Sequence, residues 1–301
     1  MKSCAILSMD DLSNHCVYDD LLFTPLTNAG WQYEVISWRQ TNVNWSRFDQ
    51  VIIRSTWDYQ QDIAAFLATL KLIDASRARL ENSLSLVAWN INKHYLRQLA
   101  EQQIPIIPTL WFDCFSQANL TMCFEQFQTD EIVIKPCVSL GAIDTFRIDV
   151  NSAKNSEKQF QKIFYQRPFM VQPFAANIIA EGEFSLFFFD NQFSHGVLKK
   201  PKANDFRVQE EHGGQLSLIT PDESLLKQAE QVMALLPEIP LYARLDFVRW
   251  QNKFALMEAE LIEPSLYFNL DPNATIRFVE AMERRFNRSH SSPNINLHIS
   301  S

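Results

Sequence analysis

Short apolar runs of strand length alternate with segments of helical spacing from the first residues onward. Ser3–Tyr59 reads as strand, helix, strand and a further strand, Gln50–Arg54, that ends in the polar cluster Arg54-Ser-Thr-Trp-Asp-Tyr59. Open α/β sheets place ligands at the carboxyl ends of their strands, so this cluster is a candidate functional loop. Ile63, Phe66, Leu67, Leu70 and Ile73 recur at helical intervals in Ile63–Ala75, and Ala78–Ala88 bridges to a second helix, Ile91–Glu101. Pro105 and Pro108 bracket a short strand and Asp113–Phe127 reads as a helix. Glu131–Lys135 is a strand running into Pro136 and a polar loop that ends near Thr145, the layout of a flap. A helix at Ser156–Phe164 precedes strands Phe169–Gln172, Glu183–Phe189 and Phe193–Leu198, followed by a charged loop from Lys199 to Gly214. Structureless loops of that length are uncommon, which makes it a functional candidate. Asp222–Leu236 is helical, Leu241–Val248 and Phe254–Leu261 pair antiparallel, and Pro272–Arg285 is a closing helix with proline in its first turn. The Ser, Asn and His-rich tail from Arg288 reads as disordered, and no internal repeat is visible.

At 301 residues and 47% apolar content the chain has core-forming material for two or three lobes. A formal net charge of −8 disfavours binding to nucleic acid or anionic lipid, both of which need an extended basic surface. No run approaches the roughly 20 apolar residues of a membrane span. In Met1–Met9 the apolar run around Ala5–Leu7 is too short for the apolar part of a signal peptide and lacks a small-residue cleavage site, so the segment reads as the first strand. The five cysteines are odd in number and contain no C-x-x-C pair, which speaks against a disulfide framework or zinc cage and for a cytoplasmic location.

Candidate chemistry concentrates in the last hairpin. Glu258 and Glu260 share one strand face, and Asp246 on the preceding strand can lie beside them. Three converging carboxylates call for a divalent cation such as Mg²⁺; a solvated strand face with charges at alternate positions is an equal reading of the hairpin alone. The loop Asp205-Phe-Arg207 to Gly213-Gly214, with Lys199 before it and Arg244 on the strand bearing Asp246, adds cations and a glycine pair near that point. Arginine forks bind phosphate and carboxylate, and Gly-Gly permits close backbone approach to a ligand. Arg54 and Asp58 are either substrate residues or a structural ion pair. His195, His212 and Cys137 read as hydrogen-bonded or packing residues rather than catalysts.

These motifs resemble the ATP-grasp superfamily, specifically the ribosomal-protein glutamate ligases and bacterial glutathione synthetases, over about Leu86 to Phe286. Those proteins share an Asp-Phe-Arg, five residues, Gly-Gly loop, a basic residue before it (Lys199) and an acidic residue one strand earlier (Glu183). They also have an Asp and then Glu-x-Asn, followed closely by Pro and a small residue, matched by Asp246, Glu258, Glu260 and Pro264-Ser265. Glu260 in place of Asn and one extra residue before Pro264 are departures, which leave Glu260 and Glu263 as alternatives for completing the metal site.

The resemblance implies an α+β fold of two lobes clasping ATP (86–172 and 173–287) behind an N-terminal α/β domain (1–85), with 288–301 a tail. It implies phosphate contacts from Lys93, Lys135, Ser139 and Gly141, an adenine hinge at Gln172, Pro173, Phe174 and Ala175, and catalytic cations Arg207, Arg244 and Lys199. Asp205, Gly213 and Gly214 would join the substrate site, and two Mg²⁺ ions, or Mn²⁺, would lie on Asp246, Glu258 and Glu260. The implied activity is ATP-dependent activation of a small-molecule carboxylate as an acyl phosphate and its transfer to an amine, in a chain that the resemblance allows to be a homodimer. The segments Glu258–Tyr267 and Ser194–Lys202 are similar to a subgroup that includes the cyclo-ligase making the cycloserine ring, so ring closure and peptide-type joining are both open. A nucleotide-binding regulatory protein without turnover is the alternative.

Overall fold

The computed structural model describes residues 1–139 and 141–291, with side chains up to 288. Three sheets carry the fold. The first contains β1 (Lys2–Ser8), β2 (Trp31–Ser37), β3 (Gln50–Ser55) and β4 (Arg79–Glu81), all parallel in the order β2-β1-β3-β4. Its central strand β3 is buried along its whole length, as its unbroken Val51–Ile53 run requires. The helix Ile63–Asp74 covers one face with Phe66, Leu70 and Ile73, and the Asp62 carboxylate caps it by accepting from Ala65 N at 3.0 Å. The bridge expected over Ala78–Ala88 contains β4 and the start of the helix Leu84–Asn90. The helix expected from Ile91 begins at Tyr95, because Lys93 N turns away to bond Cys137 O at 2.8 Å.

The second sheet is antiparallel, with β5 (Leu110–Phe112), β6 (Glu131–Pro136), β7 (Phe146–Asp149) and β8 (Phe169–Pro173) in the order β5-β8-β6-β7. The segment between Pro105 and Pro108 makes only one bridge, Ile106 to Leu256, and the strand lies further on at β5. The helix expected at Ser156–Phe164 is present as Glu157–Phe164, and an unexpected one, Val150–Asn155, precedes it, opened by an Asp149 and Ser152 capping box.

The third sheet holds β9 (Glu183–Phe189), β10 (Gln192–Lys200), β11 (Gln215–Ile219), β12 (Tyr242–Trp250) and β13 (Lys253–Glu260), antiparallel in the order β11-β10-β9-β12-β13. Strand β11 is an edge strand that the polar Gln215 and Ser217 hid from the sequence pattern. The closing helix runs Pro272–Ser291, past its expected end at Arg285, because Arg284 and Arg288 pair with Asp190, and Arg285 with Glu81. Of the tail expected to be disordered, Arg288–Ser291 is therefore helical, and 292–301 lies outside the described residues.

The first and third sheets are joined by buried polar contacts. The Tyr242 hydroxyl lies 2.6 Å from Ile53 O and 2.8 Å from Ile262 O. Asn82 donates to Tyr242 O and Leu261 O and accepts from Leu241 N. Among the described residues no helix is long and apolar enough to cross a membrane, and all five cysteines are free.

Candidate active site

A cavity of ≈ 440 Å³ opens between the second and third sheets. One end is apolar, walled by Ile107, Val133, Phe174, Ala175, Ile178 and Met257. The hinge segment supplies part of this wall. Phe174 N is consumed by Glu131 O at 3.0 Å, so that amide is unavailable to a base, whereas Ala175 N has no acceptor among the described residues. The Phe174 ring is fixed by the Arg147 guanidinium, 3.8 Å from its centroid, and Gln172 donates to Thr109 Oγ1 at 2.9 Å.

The other end is charged. Lys93, on the turn before Tyr95, reaches Glu258 Oε1 at 2.5 Å and Ser139 O at 3.2 Å. Burial works against both charges of this pair, but Glu258 together with Glu260 and Glu263 outweighs it for Lys93 and raises its pKa, while Lys93 and Lys135 hold Glu258 below the usual range. Lys135, at the carboxyl end of β6, is buried, faces the cavity and makes no ion pair or hydrogen bond among the described residues. Burial depresses its pKa, Glu258 opposes the fall, and Lys93 adds to it.

Behind this wall Lys199 lies between Glu183 and Asp246, the latter at 3.3 Å. Arg244 grips both Asp246 oxygens at 3.0–3.1 Å and also pairs with Glu260. Burial penalises the Asp246 carboxylate, yet Arg244 and Lys199 bring it down to about 2. Ser185 donates to the same carboxylate at 2.5 Å. Glu260 and Glu263 stand differently: burial pushes them up to about 7 and about 8, with Glu258 and the repulsion of neighbouring carboxylates adding to the rise.

Lys93, Lys135, Ser139, Gly141, Glu183, Arg207, Arg244, Glu258, Glu260 and the four hinge residues all line the cavity. The remaining expected residues stand elsewhere. Asp246 and Lys199 lie behind the lining, tied to Arg244 and Glu183, and no three carboxylates form a preformed cation cage among the described residues. Arg54 is a correction: it is 1% exposed, donating to Asp19 Oδ1 at 3.0 Å and Pro264 O at 2.8 Å, so it braces the loop rather than meeting substrate. Asp58 pairs with Arg39 and Trp38 Nε1, away from the cavity, and not with Arg54. Asp205 clamps Arg207 through two side-chain bonds, which fixes the arm of Arg207 instead of presenting a carboxylate. The glycine pair is also corrected. A Cβ at Gly214 would meet Val208 O at 1.9 Å, and the amides of Gly213 and Gly214 bond Glu210 O and Gln209 O, so they close the loop on itself rather than admit a ligand.

Sequence reasoning missed the cavity wall supplied by the first sheet's loops. Asn14, His15, Trp57 and Gln60 reach in from the first sheet's loops, with Glu210, Ser265 and Tyr267 opposite. Trp57 Nε1 donates to Glu263 O at 2.9 Å, and Tyr18 joins Glu210 at 3.1 Å. Trp57 stood in the flagged cluster at the end of β3, and Tyr267 closes the Glu258–Tyr267 segment. Asn14 and His15 carry no sequence signal.

With the second and third sheets flanking a cavity that has an apolar slot and a lysine-lined end, the fold is that of the ATP-grasp ligases, and the chain is an ATP-dependent carbon–nitrogen ligase resembling cycloserine synthetase. Residues 4–82 match the family model of the D-cycloserine synthetase DcsG N-terminal domain. The cycloserine biosynthesis protein DcsG of Streptomyces lavendulae is 28% identical over 273 residues, 85% of this chain and 90% of that protein. The crystal structure of D-cycloserine synthetase DcsG superposes with a TM-score of 0.82 at 25% identity, covering 94% of this chain and 99% of that one. D-alanine–D-alanine ligase from Bacillus anthracis shares the fold, with a TM-score of 0.68 at 10% identity over 96% and 98% of the two chains.

Proposed function

We propose that the protein uses ATP to activate the carboxylate of a small amino acid as an acyl phosphate and closes it onto an amine-type nitrogen of the same molecule. The observation that carries this is Lys135, a buried cation with no protein partner, facing a cavity with an apolar slot for a base at its other end. A phosphate chain would compensate Lys135 and share the pair of Lys93 with Glu258. Ring closure is favoured over joining two molecules by the acceptor wall. That wall comes from Asn14, His15, Trp57 and Gln60, within the unit that matches the cycloserine synthetase N-terminal domain.

The donor set fits Mg²⁺. Glu258 and Glu260 are hard oxygen ligands facing the cavity, and crowding with Glu263 disfavours the ionised form of Glu260, a penalty that a cation would relieve. Such ions are commonly held by one or two carboxylates plus nucleotide phosphates, so a preformed cage of three is not required. When bound, the ions neutralise phosphate charge during transfer. The protein's own groups do the rest. Arg244 and Arg207 direct positive charge at the transferring phosphoryl oxygens, the attacking carboxylate displaces ADP, and the substrate nitrogen then expels phosphate. The five free cysteines suit a reducing, cytoplasmic setting.

Opening the cycloserine ring at its carbonyl–nitrogen bond gives 2-amino-3-(aminooxy)propanoic acid, which is the probe. With Mg–ATP the protein should release ADP and phosphate and form the ring, read by mass spectrometry for each enantiomer. AMP as the nucleotide product, or nucleotide binding without ADP release for this acid or for amino-acid mixtures, would sink the reading.

A further inference from the structure

Tyr267 follows Pro264-Ser265-Leu266 and adopts left-handed backbone, φ 46°, a conformation a bulky residue keeps only when its surroundings enforce it. Those surroundings are explicit. The ring packs edge-on against Phe187 with centroids 6.0 Å apart, and Tyr267 O accepts from Leu270 N at 3.0 Å. Leu266 O, one residue earlier, accepts from His195 Nε2 at 3.1 Å. The residue is 5% exposed and lines the cavity, and its hydroxyl makes no hydrogen bond among the described residues. A hydroxyl that no protein group engages at the wall of a cavity, on a residue whose backbone is held in place, is free to donate to an acceptor on a ligand. The charged groups acting on it are Lys199, Arg244, Asp246 and Glu260. Those two carboxylates are already engaged by Arg244 and Lys199, so a ligand has to supply the acceptor.

We infer that Tyr267 is a catalytic residue whose O–H donates to the oxyanion under transfer, first the attacking substrate carboxylate and then the acyl phosphate. The inference rests on the ligase reading above. In that step a carboxylate oxygen bonds the γ-phosphorus, the bond from the γ-phosphorus to the β,γ-bridging oxygen breaks, and its electron pair leaves with ADP. The phenolic proton stays on Tyr267 throughout. Arg244 supplies charge, and the phenol adds a neutral donor of fixed direction.

Tyr267→Phe keeps the ring on Phe187 and removes only the hydroxyl. Mg–ADP should raise the melting temperature of variant and wild type equally. Inorganic phosphate titrated calorimetrically onto the Mg–ADP complex should bind roughly 10-fold more weakly to the variant. ADP release with 2-amino-3-(aminooxy)propanoic acid should lose about 10²-fold in kcat at an unchanged KM for ATP. Wild-type phosphate affinity in the variant overturns the inference, as does a wild type that takes up no phosphate beside Mg–ADP. Loss of the Mg–ADP response in the variant would make Tyr267 structural and overturn it too. A wild type that binds phosphate but does not turn over the acid rejects ring closure alone, and the phosphate comparison then decides on Tyr267.

Discussion

Lys93 and Lys135 share one wall of the cavity but carry opposite stability expectations. Lys93 is paired, so Lys93→Met orphans Glu258 and should cost about 3 kcal/mol in the nucleotide-free protein, measured by denaturant unfolding. Lys135 has burial without a partner, so Lys135→Met should leave the nucleotide-free protein as stable or more so, while Mg–ATP loses most of its stabilising effect. A Lys135→Met protein that binds Mg–ATP as wild type does would remove the phosphate role. The sequence made Lys135 legible because a lysine ending an apolar strand before proline is unusual. Arg54 was not legible: its partner Asp19 lies 35 positions away, and nothing local to the polar cluster shows that the guanidinium turns inward. Tyr267 escaped for a related reason, since positive φ in a tyrosine leaves no mark on the sequence.

The last antiparallel hairpin was read correctly. The hairpin of β12 and β13 places Glu258 and Glu260 on the cavity wall because residues two apart share a strand face. Loop geometry was less accessible. The loop Lys199–Gly214 reads as open to a ligand at its glycines, whereas Gly214 is needed because the Val208 carbonyl passes against it, a through-space contact with no sequence signature. Gly214→Ala should therefore displace the arm that brings Arg207 into the cavity. The expected outcome is a loss of kcat with a destabilisation of about 1–3 kcal/mol, measured by steady-state kinetics and thermal melting. Wild-type values for both would show that the loop closes without glycine.

Over the whole molecule, His195 gives stability a pH dependence of its own. Burial holds its pKa at about 4, with the Leu266 carbonyl the main opposing influence, and its ring stacks on Phe187 at 4.2 Å. Because the native state resists protonation, the stabilisation is complete above the unfolded value near 6.5 and is lost as pH falls through 4. The shift corresponds to about 3 kcal/mol at most. His195→Gln should be less stable at neutral pH but show a shallower decline between pH 6.5 and 4 in chemical unfolding. An unchanged slope would mean that His195 titrates normally in the native protein. The seam around Tyr242 bears on how the chain can be divided. Its hydroxyl, Asn82 and the ion pair of Glu81 with Arg285 are completed only when residues before 85 meet residues after 240. Fragments 1–85 and 86–301 made apart should each lack a partner for buried polar groups, and circular dichroism should find them cooperative only when mixed. Recombination that exchanges the first unit for a relative's must carry the matching seam with it, or that unit's share of the cavity wall arrives on a protein that cannot pack against it.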